Sequence, residues 1–104
     1  MGFVANQRTV RVVKEDIEKQ QEVAMINLKA LEEASLNLNG VAFKLWVYFS
    51  KNKNHNEIDM WTRNLNKFGI SKGGSYDRAW RELEEKGYLK AGIEKNKYIF
   101  YEIV

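Results

Sequence analysis

Cysteine and proline are both missing from this 104-residue chain, and histidine occurs once. Without cysteine there is no disulfide and no thiolate-held metal, so an intracellular, cytoplasmic protein is the simplest expectation. Without proline no stretch reads as a stiff linker. The single histidine, His55, sits in the polar run "NKNHN" with no second ligand or carboxylate partner nearby in sequence. It reads as a solvated side chain rather than a catalytic base. No catalytic, metal or cofactor site is therefore expected, and the chain does not read as an enzyme. Long apolar runs are lacking too. The longest, "VAFKLWVYF", is interrupted by Lys44 and is roughly half the length needed to span a bilayer, and nothing resembles a secretory signal. A soluble protein without a membrane partner is expected.

What is present is enough apolar residue, 44%, for one compact core. There are 17 Lys and Arg against 14 Asp and Glu, a net charge of +3. Residues 41 to 104 carry 12 of those 17 basic residues and only 8 of the 14 acidic ones, so the basic excess lies in the second part of the chain. That balance suits an anionic partner.

The β-branched run "RTVRVVK" (Arg8 to Lys14) fits a strand or a docked arm. Residues 15 to 22 are charged and polar, and Ile17, Ala24, Leu28 and Leu31 lie near helical spacing, so a helix begins either early or after Asn27, a suitable cap. The preferred reading is a helix from Asn27 to Leu36. Asn39 and Gly40 announce the next helix, in which Ala42, Leu45, Trp46 and Phe49 recur at i, i+3, i+4 and i+7. Phe43, Val47 and Tyr48 make it apolar on its other faces as well, the mark of a central element. Asn56 with Asp59 offers a variant capping box, and Ile58, Trp61, Leu65 and Phe68 define the buried face of the helix that follows. Gly69 ends it. Ser71 can cap a further helix whose apolar stripe is Tyr76, Ala79, Trp80 and Leu83, closed by Gly87. Two helices joined so tightly have the spacing of a helix-turn-helix. "YLKAGI" and "YIFYEIV", separated by "EKNK", then read as a hairpin with a basic tip.

The expected fold is mainly α with a small β-hairpin, a winged helix-turn-helix. Residues 1–26 form an N-terminal arm or strand with a polar connection, and residues 27–104 the winged-helix domain. In the stretch "SKGGSYDRAWRELEEKGYL" the positions opposite the apolar stripe are Lys72, Gly73, Gly74, Ser75, Asp77, Arg78 and Arg81, with Glu82, Glu84 and Glu85 further on. A helix entering the major groove presents its N-terminal turns to the bases, so a basic start and an acidic end suit duplex DNA. Gly73 and Gly74 would let a phosphate approach the first amides, or simply relax a tight turn. Arg78 and Arg81 can bridge guanine acceptors, grip a phosphate, or pair with Asp77, Glu82 or Glu84. Ser75 can donate to a base or support the helix start. At the hairpin tip Lys95, Asn96 and Lys97 can reach an adjacent groove, while Arg63 and Lys67 read as a solvated helix face. No nucleotide-binding loop is present, because Lys72 precedes the glycines. Trp46, Trp61 and Trp80 each lie on a helical apolar stripe and read as core rather than as stacking platforms. Tyr98, Phe100 and Tyr101 leave one aromatic face for a partner or a dimer.

"NGVAFKLWVYFSKN", "FGISKGGSYDRAWRELEEKGYL" and the closing hairpin resemble the winged-helix domains of replication initiators from phages, plasmids and related Gram-positive mobile elements. "ANQRTVRVVKED" resembles the amino-terminal arm of small proteins in that group. The resemblance implies double-stranded DNA binding in replication or transcriptional control, with Lys72, Ser75 and Arg78 facing DNA and Ala79, Trp80 and Leu83 in the core. The glycine pair departs from the polar or basic residues more usual there. A single such domain has a small footprint, so a homodimer on paired half-sites, or a host or replication protein, is expected to assist. The alternative from another class is a winged-helix interaction module, a phage accessory factor that captures a host protein.

Overall fold

A computed structural model of the protein describes residues 8–12, 24–53 and 57–104. Within them lie four helices followed by a two-stranded antiparallel sheet, a mainly helical fold with a hairpin. None of the helices is long and apolar enough to cross a membrane. The first, α1 (Leu28–Asn37), begins where Asn27 Oδ1 accepts the Ala30 N–H at 2.9 Å, the side-chain cap expected of asparagine. Ala30 and Ala34 are its buried positions.

The central element is α2 (Gly40–Lys51), with Ala42, Leu45, Trp46, Tyr48 and Phe49 buried around its circumference. It packs on α1 on one side and most extensively on α4 (Gly74–Glu85) on the other. The hairpin, β1 (Leu89–Ala91) and β2 (Tyr98–Phe100), pairs Leu89 with Phe100 and Ala91 with Tyr98. Phe100 thereby meets Phe49 with ring centroids 5.1 Å apart, and Tyr98 meets Trp80 at 5.0 Å. Beyond β2 the Glu102 carbonyl accepts the Trp46 indole N–H at 3.2 Å, which satisfies the one polar group of a fully buried tryptophan.

Two helices end alike. After α3 (Thr62–Lys67), Gly69 takes φ +78°, its N–H bonds Asn66 O, and the Ile70 N–H reaches back to Leu65 O at 2.8 Å. After α4, Gly87 takes φ +88°, and the Tyr88 N–H reaches Leu83 O at 2.9 Å. Both are the reciprocal bond pair that a left-handed glycine permits. Each also buries the next residue, Ile70 or Tyr88, beneath the helix end.

Three expectations are corrected. Trp61 is not on the buried face of α3. It occupies the N-cap position and is 62% exposed, because Glu57 to Met60 form no helix and instead turn alternate residues, the half-buried Ile58 and Met60, toward the core, so parity turns Trp61 outward. Asp59 consequently caps nothing, and Asn56 lies outside the described residues. Ser71 is not the cap of α4, since that helix starts at Gly74 with Gly73 before it. Of the expected N-terminal strand or arm, Arg8 to Val12 form neither helix nor strand, with Val10 and Val12 exposed, and Val13 and Lys14 lie outside the described residues. So do residues 15 to 22, where an earlier helix start was weighed.

Candidate functional site

Ala79 and Leu83 are the buried positions of α4, and Tyr76 and Trp80 flank them half-buried. This fixes the rotation of the helix. Lys72, Gly73, Gly74, Ser75, Asp77, Arg78 and Arg81 are all exposed. Arg78 Nη2 donates to Ser75 Oγ at 3.3 Å, one turn back, so its guanidinium lies over the first turn. Neither Arg78, Arg81 nor Lys72 forms an ion pair among the described residues.

No side chain caps the N-terminal amides of α4. A β-carbon added to Gly73 would meet nothing within 4 Å, and one on Gly74 would meet only Arg78 Nη1 at 3.4 Å. The two glycines, with Val41, Ile70, Lys72 and Ser75, border an open depression of about 320 Å³. Amides without a side-chain cap, a partial positive helix end and the nearby Lys72 and Arg78 meet at this depression, a combination that suits a phosphate oxygen. Beside it, burial and then the charge of Asp77 raise the pKa of the Tyr76 hydroxyl, which stays protonated at neutral pH.

The acid residues of α4 divide. Glu84 and Glu85 are exposed, as expected of a solvated end. Glu82 instead turns toward the start of α2, where its carboxylate accepts the Asn39 N–H at 2.9 Å, the Asn39 side-chain amide at 3.2 Å and Lys86 Nζ at 3.2 Å. Burial is the largest single influence and raises its pKa, but the bonds from Asn39 and Lys86 together outweigh it and hold the carboxyl below the usual range. Lys86 also donates to the Asn37 carbonyl, so the pair stitches the α1 to α2 connection onto α4.

On the hairpin, Lys95, Asn96 and Lys97 are exposed. Asn96 takes φ +63°, a left-handed value that asparagine tolerates better than most residues, and the Lys97 N–H closes the turn on Glu94 O at 3.2 Å. Lys97 Nζ lies 3.3 Å from Glu57 and 3.6 Å from Glu94, whereas Lys95 has no ion pair among the described residues. Arg63 and Lys67 are exposed on α3. Ile93 closes the strand-like run "YLKAGI", but β1 stops at Ala91 and Ile93 stands in the loop, fully exposed. The preceding Gly92 is the sequence signal for that stop.

Compared with known proteins, the chain matches no family model, no curated protein and no solved structure.

Proposed function

We propose that the chain is a winged-helix protein that binds duplex DNA, with α4 as the helix that enters the major groove and the β1–β2 hairpin as the wing. The observation that carries this reading is the two-sidedness of α4: Ala79 and Leu83 are sealed against the core while Arg78, Arg81 and the glycine-rich first turn face solvent. The order α2, α3, α4, hairpin supports the winged arrangement, with residues 68–73 joining α3 to α4. With Glu82 turned toward α2, Glu84 and Glu85 remain at the solvated end of α4, and its first turns carry Arg78 and Arg81 against the single acid Asp77. Phosphate contacts from Lys72 and the first amides position the helix, and Arg78 and Arg81 read or grip beyond them. A homodimer on paired half-sites supplies the footprint a single domain lacks. The setting, replication initiation or transcriptional control in a phage or plasmid, follows from the sequence resemblance, and the protein performs no chemistry of its own.

The decisive measurement is duplex binding as a function of salt. Affinity falls steeply with rising salt, and Arg78→Ala lowers it by about 1–3 kcal/mol without changing the melting temperature. A duplex affinity that is negligible even at low salt overturns the reading. In that event the exposed apolar side chains on the outer side of the hairpin, Ile99 at 50%, Tyr101 at 41% and Ile103 at 58%, favour the second one, capture of a host protein.

A further inference from the structure

Ile93 is the most exposed large apolar side chain among the described residues, at 106% of its reference area, so it touches almost nothing in its own protein. Its backbone is nevertheless held. The Gly92 N–H bonds Lys97 O at 2.7 Å, and the Lys97 N–H bonds Glu94 O at 3.2 Å. The hairpin is so narrow there that a β-carbon on Gly92 would come within 3.1 Å of the Lys97 carbonyl oxygen. Tyr98 packs on Trp80 and so joins the base of the hairpin to α4, and Lys97 Nζ lies 3.3 Å from Glu57 in an exposed pair. Around Ile93 the charges are Lys95 and Lys97 with two acids, Glu94 and Glu57, which both lie against Lys97, so the tip is close to neutral with Lys95 its one cation without an ion pair among the described residues.

A turn closed by two backbone bonds that presents an aliphatic side chain offers no group there for hydrogen-bond readout. If α4 occupies the major groove, the neighbouring groove is the minor one, which is too narrow for the hairpin but admits one side chain. An aliphatic group there gains only by leaving water, and it does so by wedging between base pairs and kinking the duplex. Pyrimidine–purine steps unstack at least cost.

We infer that Ile93 is a minor-groove wedge, so that the partner of this site is a duplex carrying a flexible pyrimidine–purine step beside the α4 contact, and that the protein bends it. This rests on the duplex-binding reading. It adds a residue, a groove and a class of DNA step to that reading, and it assigns the kink to the hairpin rather than to α4.

The test uses the full chain and short duplexes dye-labelled at both ends, with or without a central TpA step, and reads energy transfer alongside affinity. Wild-type protein shortens the end-to-end distance of the TpA duplex and binds it more tightly than the matched duplex without the step. Ile93→Ala binds roughly tenfold more weakly and leaves the duplex straight, while Ile93→Leu keeps the bend. Because Ile93 makes no internal contact, both variants melt with the wild type, which excludes misfolding as the cause. Wild-type binding without a bend, or a bend that survives Ile93→Ala, overturns the wedge and leaves duplex binding standing. Failure of the wild type to bind either duplex at low salt overturns the functional reading, and the wedge with it.

Discussion

The carboxylate of Glu82 receives hydrogen bonds from Asn39 and Lys86 and so joins α4 to the start of α2. In the sequence it reads as part of the acidic end of the helix or a partner for Arg78 or Arg81, because its main partner lies 43 residues away. Since its folded pKa is lowered, its contribution is fully present above the pKa of an unfolded glutamate and is lost as pH falls through the folded value. Glu82→Gln therefore destabilises by about 1–2 kcal/mol at neutral pH, with the gap to the wild type closing in denaturant titrations as the pH falls through the lowered pKa. Ser50 behaves oppositely. It is 1% exposed in the last turn of α2, and its hydroxyl has no hydrogen-bond partner among the described residues. Burying a bare hydroxyl costs free energy, and alanine removes it without enlarging the side chain. Ser50→Ala is expected to raise stability by about 1 kcal/mol, measured by urea unfolding.

Elements were legible in proportion to how local their signals are. The Asn27 cap, the apolar circumference of α2 and the glycine ends of α3 and α4 each depend on residues within one or two turns, and each formed as read. The start of α3 did not. Ile58, Trp61, Leu65 and Phe68 satisfy a helical period, yet Ile58 and Met60 also satisfy an alternating one, and contact with the core selects the second. Trp61 is the residue displaced by that choice. The glycines differ in the same way between elements. Gly69→Ala forces a side chain into a left-handed backbone beside Lys44 Nζ at 3.2 Å and costs about 1 kcal/mol. Gly74→Ala, in the first turn of α4 with only the mobile Arg78 tip at 3.4 Å, gains about 0.5 kcal/mol from helix propensity. Thermal melting of the two variants separates a glycine required by the fold from one it does not need. If Gly74 admits a phosphate, the stabilised variant also binds duplex less tightly.

For the whole molecule the net charge of +3 is small, so under the proposed function attraction to DNA depends on where the cations lie. Lys72, Arg78, Arg81 and Lys95 are exposed and free of ion pairs among the described residues, whereas Lys97 shares its charge with Glu57 and Glu94. If those four each meet a phosphate, log affinity falls against log salt with a slope of roughly −3 to −4. A much steeper slope means that a second copy engages the same duplex, which binding stoichiometry checks.

The sequence alone determined the order of helices and hairpin, the inward stripe of α4 and the cationic composition of its other side. Those follow from hydrophobic period, caps and glycines, which act over a few residues of chain. Only the tertiary structure decided that Glu82 leaves the solvated face, that Trp61 turns outward, and that in the hairpin Tyr98 packs on Trp80 and Lys97 lies against Glu57. Each of these joins residues far apart along the chain, and such pairs have a meaning only once folding has brought them within reach.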